Sequence, residues 1–216
     1  MNMHAGSRML IFGGGALGEW AIPHIGEGDV LVGADQGAWF LVSHGYRPHL
    51  AMGDFDSVTA EQKKHIQQMA GEFRDCDPIM KDYTDSELAY MWALQQRPAE
   101  IVLLGMTGTR LDHTLANVQL LRQGLAAGVR TVLRNEHNRI ELTNGRLELT
   151  DEGFSYISLL PLTIEVQGIT LEGFQYPLRD AVLTMGQSLA VSNKLVAPAA
   201  AVTVRSGELL VIQSRD

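Results

Sequence analysis

The sequence predicts an α/β protein in which a mainly parallel α/β domain is followed by an antiparallel β-sandwich. Up to about residue 135, short apolar runs alternate with helical segments, an order typical of strand–helix–strand units in a parallel sheet. From residue 136 onward, short β-rich stretches are separated by Gly and Pro, and no long helical segment occurs. We therefore predict two domains, residues 1–135 and residues 136–216.

The strands and helices of the first domain have recognisable ends. The predicted strands are the apolar runs Arg8 to Phe12, Asp29 to Ala34, Leu50 to Gly53, Ile101 to Gly105 and Val129 to Arg134. The predicted helices begin near Gly37, Thr59, Thr84 and Asp112. The first ends at Gly45, the third before Pro98 and the fourth before Gly128, because Gly and Pro terminate helices. Thr59 to Gln62 and Thr84 to Glu87 both fit the capping box, which marks a helix start.

The second domain is predicted to consist of short strands. Alternating residues on both sides of Asn144-Gly145 predict a β-hairpin over 140–149. Further β-rich stretches are 154–160, 163–171, 188–191, 200–204 and 208–212. Because these stretches are short and evenly punctuated by turn residues, they favour a small antiparallel sandwich or barrel.

Composition excludes several classes of protein. The chain has 216 residues, of which 45% are hydrophobic and 19% charged, as in a globular protein. A net charge of −8 argues against a groove that binds nucleic acid. Cys76 is the only cysteine, which excludes an internal disulfide and favours a cytoplasmic location. The first predicted strand leaves no room for a signal peptide, and no apolar run approaches the roughly 20 residues of a membrane span.

Three segments with aspartates point to the chemistry of the chain. They are Gly53–Ser57, Lys81–Asp85 and Thr107–His113, and each lies where a strand ends or a helix begins. Ligands of open α/β sheets bind along the edge at which parallel strands end. Two carboxylates about 4 Å apart repel by roughly 4 kcal/mol at an effective dielectric of about 20, so such a cluster binds a cation or takes up protons. Together with Lys81 and Arg110, these acids indicate metal-dependent phosphoryl transfer.

Two of the motifs also fit other functions. Residues 13–18 satisfy the dinucleotide pattern G-x-G-x-x-G, and Asp35 follows near the position of a ribose-binding acid. We disfavour this interpretation because Pro23 interrupts the segment in which the long helix should follow. Asp54-x-Asp56-x-Val58 fits the pattern of haloacid-dehalogenase-type phosphatases, in which Asp54 would be a nucleophile. A solvated turn is the structural alternative for this Asp-x-Asp.

The helix starts at Thr84 and Arg110 allow both structural and functional roles. Thr84 fits an N-cap, and Asp85 complements the helix dipole, but such a terminus also binds anions. Arg110 can bind phosphate oxygens with two N–H groups. Asn117 lies four residues after His113 and so shares its helix face. The structural alternative is an exposed Arg110 and a dipole-complementing Asp112.

The order of these motifs resembles the thiamine pyrophosphokinase family over nearly the whole chain. The matching residues are Ala34-Asp35-x-Gly37-Ala38, Pro48, Gly53-Asp54-Phe55-Asp56-Ser57, Lys81-Asp82-x-Thr84-Asp85, Gly105-x-Thr107-Gly108-x-Arg110-Leu111-Asp112-His113, Asn117, Ile157-Ser158-Leu159, Gly173-x-x-Tyr176-Pro177-Leu178 and Ser192-Asn193. The resemblance implies an α/β nucleotide-binding domain, a β-sandwich that binds thiamine, and a homodimer with a shared active site. It also implies Mg²⁺-dependent transfer of a pyrophosphoryl group from ATP to thiamine, giving thiamine diphosphate and AMP.

The resemblance also implies roles for individual residues. The metal-holding acids are Asp54, Asp56 and Asp85, which with Arg110 and Asp112 form the expected catalytic set. The residues expected to bind the nucleotide are Asp35, Lys81, Thr84, Arg110, Asp112, His113 and Asn117. Ser192 and Asn193 match the segment that contacts thiamine across the dimer.

The chain departs from the family pattern at three positions, and this leaves the acceptor open. Gln36 and Thr109 stand where the family usually has Gly, and Lys194 stands where an acid is expected. A side chain would obstruct a positive φ or a close ligand approach at the first two positions. The alternatives are therefore a pyrophosphokinase for another heteroaromatic alcohol, such as a pterin, and a non-catalytic nucleotide or thiamine sensor. Retention of every expected metal ligand argues against the sensor.

Overall fold

The computed structural model describes residue 4, residues 6–76 and residues 82–216. The described residues form two compact units, the first ending at Glu136 and the second comprising His137–Asp216. Lys81, expected to bind the nucleotide, lies outside the described residues. No helix in the described part of the chain is long and apolar enough to cross a membrane.

The first unit contains a parallel sheet. Its strands are β1 (Arg8–Phe12), β2 (Val30–Ala34), β3 (Leu50–Gly53), β4 (Glu72–Asp75), β5 (Glu100–Leu104) and β6 (Arg130–Arg134). They lie in the order β4-β3-β2-β1-β5-β6, and all neighbours in this order pair in parallel. Strand β4 was not predicted, because Glu72-Phe73-Arg74-Asp75 is largely exposed and lacks the apolar run of a buried strand.

Four α-helices in the described part of the first unit connect these strands, and local capping explains the ends of three of them. They are α1 (Gln36–Ser43), α2 (Ala60–Met69), α3 (Asp85–Gln95) and α4 (Leu111–Ala127). Thr59 and Gln62 form the predicted capping box of α2, and the Thr84 hydroxyl accepts from the backbone N–H of Glu87 at the start of α3. Helix α4 ends at Gly128, whose φ of 68° is the left-handed conformation that glycine adopts most readily.

The strand order places the ends of β1 and β5 side by side at the point where the chain reverses its direction across the sheet. The chain moves from β1 outward through β2, β3 and β4, and it returns to the other side of β1 as β5. In open α/β sheets, the crevice beyond the carboxyl ends of the strands at such a reversal is the usual place for a ligand.

The second unit is a β-sandwich. Its strands are β7 (Asn138–Thr143), β8 (Arg146–Thr150), β9 (Tyr156–Pro161), β10 (Glu165–Glu172), β11 (Ala181–Thr184), β12 (Ala199–Thr203) and β13 (Leu209–Ser214). Antiparallel pairs join β7, β13 and β9 in one layer and β11, β10, β12 and β8 in the other. Buried residues of both layers, among them Leu149, Ile157, Val202 and Val211, form one hydrophobic core. The predicted fold class is therefore confirmed.

Two details of the predicted second half are wrong. The strands around Asn144-Gly145 do not form a hairpin, because β7 pairs with β13 whereas β8 pairs with β12. A two-residue hairpin turn of the Asn-Gly type requires positive φ at both residues, and neither Asn144 nor Gly145 has one. The stretch 188–191 is a turn instead of a strand.

Candidate functional site

Three aspartates from separate loops meet at the carboxyl edge of the first unit's sheet. Asp35 follows β2, Asp54 follows β3, and Asp85 is the first residue of α3. One carboxylate oxygen from each lies within 4.8 Å of the others. Such a set of oxygen ligands suits a divalent cation. The sequence predicted Asp54 and Asp85 as members of an acid cluster but assigned Asp35 to the nucleotide. Asp35 directly follows β2, the strand next to β3, and this position is the signal by which the sequence could have placed it in the cluster.

Asp56 lies outside this cluster although it was predicted as a metal ligand. Its side chain is exposed, and its backbone N–H donates to Asp54 Oδ1 at 3.1 Å. The intervening Phe55 is buried and stacks on Phe73, with ring centroids 4.7 Å apart, in a backbone conformation with φ of 58°. The turn that buries Phe55 thus separates the surroundings of Asp54 from those of Asp56.

The cluster depends on an unusual backbone path around Asp35. Asp35 has φ of 48° and ψ of −117°, and its Oδ1 accepts a hydrogen bond from the Phe55 backbone N–H at 3.0 Å. Gly53 has φ of 145°, and a Cβ at this position would lie 2.0 Å from Asp35 Oδ1. Only glycine therefore allows β3 to end beside the Asp35 carboxylate.

The electrostatics of the cluster favour a bound proton or cation. Burial, then the negative charge of Asp85 and a hydrogen bond shared with it, raise the pKa of Asp35 from 3.8 to about 7, and the charge of Asp54 adds to this effect. The hydrogen bond from Phe55 N–H lowers the pKa; its effect is smaller than those of burial and of Asp85 but larger than that of the Asp54 charge. The carboxylates are thus held together at a cost that a divalent cation would relieve.

This raised pKa predicts how stability depends on pH in the absence of a divalent cation. Between the unfolded pKa of 3.8 and the folded pKa of about 7, the folded state keeps a proton that the unfolded state has lost. The contribution of Asp35 to the free energy of unfolding is therefore fully present below pH 3.8 and is lost as the pH rises to about 7. We expect Asp35→Asn to raise the Tm at pH 8 in EDTA by a few degrees, since 1 kcal/mol shifts the Tm of such a chain by roughly 2–4 °C. The gain should shrink at pH 5 or with Mg²⁺, and scanning calorimetry of both proteins measures it. An unchanged or lower Tm at pH 8 would contradict the assigned repulsion.

A cavity of about 470 Å³ opens beside the acid cluster. Its walls are the loops after β1, β2, β3 and β5 and the N-termini of α3 and α4; the lining residues are Gly14, Gly15, Asp35, Gln36, Ser57, Thr84, Asp85, Ser86, Gly105, Met106, Thr107, Gly108, Thr109, Arg110, His113 and Asn117. Helix N-termini present unpaired backbone N–H groups, which bind anions. The cavity therefore combines acids suited to a cation with helix ends suited to phosphate.

The glycine-rich loop after β1 is a wall of this cavity and lacks the features of a dinucleotide site. Backbone N–H groups of Gly13, Gly15 and Ala16 donate to carbonyls of Leu104, Gly105 and Thr107 at 2.7–2.8 Å. A Cβ on Gly15 would lie 2.3 Å from the Thr107 carbonyl oxygen, so glycine permits the close approach of the two loops. A 3₁₀ helix over Glu19–His24 follows in place of the long helix that dinucleotide binding requires.

Arg110 lines the cavity at the start of α4 and holds Asp112. The guanidinium donates through Nη2 to Asp112 Oδ2 at 2.5 Å and through Nε to Oδ1 at 3.3 Å, and both side chains are exposed. This hydrogen bonding from Arg110 lowers the pKa of Asp112 to about 2. Carboxylate and phosphate groups both accept such a pair of guanidinium donors.

The other residues expected at the nucleotide site divide between lining and support. Thr84 and the exposed His113 line the cavity, and the Thr84 hydroxyl also caps α3. Asn117 is buried, and its Nδ2 donates to the Met106 carbonyl oxygen at 2.8 Å. Asn117 therefore holds the loop after β5 in place, a role that the sequence did not distinguish from nucleotide binding.

In the second unit, Ser192 and Asn193 have different surroundings. Ser192 is exposed and has φ of 62°. Asn193 is only 4% exposed. Its Oδ1 accepts from the backbone N–H groups of Tyr176 and Lys194 at 3.0 and 2.8 Å, and its Nδ2 donates to the Tyr176 carbonyl at 2.7 Å. Asn193 thus positions the segment around Tyr176, whereas Ser192 is accessible to a ligand.

The three departures from the family pattern fit the fold without strain. Gln36 is the first residue of α1, and neither Gln36 nor Thr109 has a positive φ. Gln36 Nε2 donates a hydrogen bond to the Ser57 carbonyl oxygen. Lys194 Nζ lies 5.3 Å from the centroid of the Tyr156 ring and forms a cation–π contact with it. The lysine side chain is thus accommodated at the position where the family has an acid. These positions therefore do not exclude the family's chemistry.

Comparisons with known proteins give one family for both units. Residues 24–133 match the family model described as "Thiamin pyrophosphokinase, catalytic domain", and residues 146–211 match "Thiamin pyrophosphokinase, vitamin B1 binding domain". The chain is 35% identical over 192 residues to thiamine pyrophosphokinase of Bacillus subtilis (strain 168), covering 88% of this chain and 89% of the relative.

Solved structures agree with this result. The crystal structure of the Bacillus subtilis thiamine pyrophosphokinase superposes with a TM-score of 0.90 at 32% identity, covering 97% of this chain and 100% of that chain. The thiamin pyrophosphokinase of Geobacillus thermodenitrificans gives a TM-score of 0.87 at 32% identity, with 97% and 98% coverage. The Candida albicans thiamin pyrophosphokinase, at 16% identity and a TM-score of 0.82, shares the fold, covering 97% of this chain and 90% of that chain.

Proposed function

Since the chain belongs to the thiamine pyrophosphokinase family and is therefore a diphosphotransferase enzyme, we propose that it uses ATP and Mg²⁺ to convert thiamine to thiamine diphosphate. The single observation on which the proposal rests is the convergence of Asp35, Asp54 and Asp85 beside a cavity lined by helix N-termini. A cytoplasmic location is also proposed, on the basis of the lone cysteine.

The acid cluster fits Mg²⁺ by ligand type and by charge. Carboxylate oxygens within 4.8 Å of one another are hard ligands, and the raised pKa of Asp35 indicates that the cluster is overloaded with negative charge. We assign Asp35, Asp54 and Asp85 as ligands of the cation. The exposed Asp56, in the same loop as Asp54, would add negative charge near the cation without being a main ligand. When bound, the cation would neutralise charge on the triphosphate.

The cavity would hold the triphosphate between the acids and the basic groups. Arg110 would exchange Asp112 for phosphate oxygens, and the N-termini of α3 and α4 would donate backbone N–H groups. Asn117 would keep the loop after β5 fixed during this binding. Lys81 and His113 remain proposed nucleotide contacts by resemblance to the family.

The transfer would join the hydroxyethyl oxygen of thiamine to the β-phosphorus and break the bond from that phosphorus to the oxygen of AMP. The hydroxyl proton would be released to water as the new bond forms, and the electron pair of the broken P–O bond would leave on the phosphate oxygen of AMP, the other product. The protein's contribution would be mainly orientation and charge stabilisation, because phosphoryl transfer requires little covalent participation by the enzyme.

Replacing Arg110 by Lys should impair catalysis without affecting folding. Lysine keeps the positive charge but cannot donate the paired N–H groups that fit a phosphate. Because Arg110 is exposed and contacts Asp112 two residues away, few folding contacts are lost. We expect kcat/KM for ATP to fall at least tenfold with a Tm change below about 2 °C. A matched Arg205→Lys variant changes an exposed arginine of the second unit and should behave like the parent. Loss of Tm with unchanged kcat/KM would assign Arg110 a structural role.

Thiamine is proposed to bind at a site completed by a second copy of the chain. The second unit exposes apolar side chains near Ser192: Leu189 (69% exposed) and Val196 (65%) are close to it in sequence, and Tyr176 (61%) is hydrogen-bonded through its backbone to the adjacent Asn193. Exposed apolar surface of this kind is typical of interaction sites. A two-fold dimer would present this surface of each chain to the acid cluster of the other.

A complementation experiment tests the shared site. An Asp54→Asn chain and a Ser192→Arg chain should each be inactive, the first in its acid cluster and the second because the larger side chain blocks the acceptor. If each site uses both chains, mixed dimers contain one intact site, and up to about half of the parental activity per dimer should return. Asn193 is unsuitable for this test because its amide supports the fold. Mixed dimers without activity, with their formation shown by mass spectrometry, would place each complete site within a single chain.

Product analysis tests the reaction itself. The purified chain with ATP, Mg²⁺ and thiamine should yield thiamine diphosphate and AMP in equal amounts, and EDTA should stop the reaction. Equal amounts of ADP and thiamine monophosphate would indicate a different transfer. A hydroxymethyl pterin offered in place of thiamine distinguishes the alternative acceptor, and phosphate release without AMP would indicate a phosphatase.

A further inference from the structure

The side chain of Gln36 is hydrogen-bonded to the loop after β3, which carries Asp54 of the acid cluster. It is the residue directly after Asp35, and it lines the cavity together with Ser57. Its Nε2 donates to the carbonyl oxygen of Ser57. Ser57 ends the short segment that begins with Asp54, so this hydrogen bond joins the N-terminus of α1 to the loop that contains Asp54.

The loop after β3 has two connections to the adjacent residues Asp35 and Gln36. The Phe55 backbone N–H donates to Asp35 Oδ1 at 3.0 Å, and the Ser57 carbonyl accepts from Gln36. The Lys63 ammonium also reaches the Asp54 carbonyl, but at 3.4 Å, and it pairs with Asp75 at 2.9 Å. The loop is therefore held at Phe55 and at Ser57 by the adjacent residues Asp35 and Gln36.

These two connections respond differently to a bound cation. The Asp35 carboxylate belongs to the acid cluster, so its charge changes when it is protonated or binds a cation, and the strength of the hydrogen bond from Phe55 N–H depends on that charge. The amide of Gln36 is neutral and has no part in the cluster. Its hydrogen bond to Ser57 is therefore independent of whether Asp35 is protonated, charged or bound to a cation.

We propose that Gln36 is a positioning residue. It holds the loop after β3, and with it Asp54, close to Asp35 and Asp85, so that the acid cluster is formed before a cation binds. This inference rests on the proposed cation site and goes beyond it, because the family pattern has glycine at this position. A preformed site binds more tightly than one that must be ordered during binding.

The test compares Gln36→Met with Gln68→Met. Methionine matches glutamine in length and flexibility but has no N–H donor, and Gln68 is an exposed residue of α2 that serves as the control. Mn²⁺ is the probe, and calorimetry without nucleotide gives its Kd. We expect Gln36→Met to weaken Mn²⁺ binding about five- to tenfold, the factor that corresponds to one lost neutral hydrogen bond. Amide hydrogen exchange at Phe55 and Asp56 should accelerate by a similar factor in the cation-free protein. Gln68→Met should change neither quantity.

The outcomes separate this inference from the proposed function. If Gln36→Met binds Mn²⁺ within twofold of the control, or the exchange at Phe55 and Asp56 is unchanged, the positioning role is overturned. If the parent protein itself binds no Mn²⁺, the proposed cation site fails, and the exchange rates alone then decide whether Gln36 orders the loop. A lower Tm without either effect would mean that Gln36 only stabilises the fold, which also overturns the proposal.

Discussion

Replacing Asp54 by Asn is expected to lower kcat by at least about a hundredfold while the protein remains folded. Asn has the same shape, and its carbonyl oxygen keeps the hydrogen bond from the Asp56 N–H at 3.1 Å. It lacks the negative charge with which Asp54 would hold the cation next to Asp35 and Asp85. Groups that stabilise charge in a preorganised site contribute roughly 10²–10³-fold in rate when removed singly. Steady-state kinetics over a range of Mg²⁺ concentrations measures the loss.

The Tm provides the control for this variant. Because Asp54 contributes to the raised pKa of Asp35, its neutralisation should leave the Tm at pH 8 in EDTA unchanged or higher. Asp151→Asn is the matched change in the second unit, where Asp151 Oδ1 accepts from Gly153 N–H at 2.9 Å, and it should behave like the parent. A nearly normal kcat for Asp54→Asn at saturating Mg²⁺ would remove Asp54 from the site.

Asp56→Asn distinguishes the predicted set of acids from the observed cluster. Asp56 is exposed and lies outside the cluster in the described residues, so we expect a smaller loss of kcat than for Asp54→Asn. If the two losses were reversed, Asp56 would be the main ligand, and the loop after β3 would have to rearrange when the nucleotide binds.

Replacing Gly53 by Ala should reduce both stability and activity. A Cβ at this position would lie 2.0 Å from Asp35 Oδ1, and the backbone has φ of 145°. The positive φ alone costs a residue with a Cβ about 1–3 kcal/mol. The overlap adds to this cost because Asp35 must move, and its movement disperses the acid cluster. Chemical denaturation and kcat together measure the two consequences.

Gly128→Ala separates backbone strain from this overlap. Gly128 has φ of 68°, and a Cβ there would have nothing within 4 Å. Its replacement should therefore cost about 1–2 kcal/mol of stability with kcat unchanged. If Gly53→Ala had the same effect as Gly128→Ala, the contact between β3 and the Asp35 carboxylate would be unimportant for the site.

Local patterns in the sequence predicted most of the fold. Apolar runs identified the buried strands, and Thr59, Thr84 and Gly128 identified helix ends, because capping depends on residues close in sequence. Strand β4 was missed because its pairing with β3 needs only backbone groups at an exposed edge. The hairpin at Asn144-Gly145 was wrong because the partners of β7 and β8 are distant strands, which local turn preferences do not encode.

The candidate site was predicted in location but incompletely in composition. The position of acids after neighbouring strands indicated one cluster, yet it did not distinguish Asp35 from Asp56. That distinction depends on the buried Phe55, which turns the loop between Asp54 and Asp56. For Asn117 and Asn193, the sequence identified polar side chains but not their partners, which are backbone groups of Met106 and Tyr176. An amide can bind a ligand or a loop, and only the tertiary structure decides which.

The location of the cation tests the central claim most directly. Crystals grown with Mn²⁺ and a non-hydrolysable ATP analogue would reveal the ion by its anomalous scattering. We predict a peak among Asp35, Asp54 and Asp85, with oxygen atoms of these residues about 2.1 Å away, the distance typical of Mg²⁺ sites. The phosphates should lie in the cavity beside Arg110. A peak away from all three carboxylates, or nucleotide bound with no ion near them, would contradict the account.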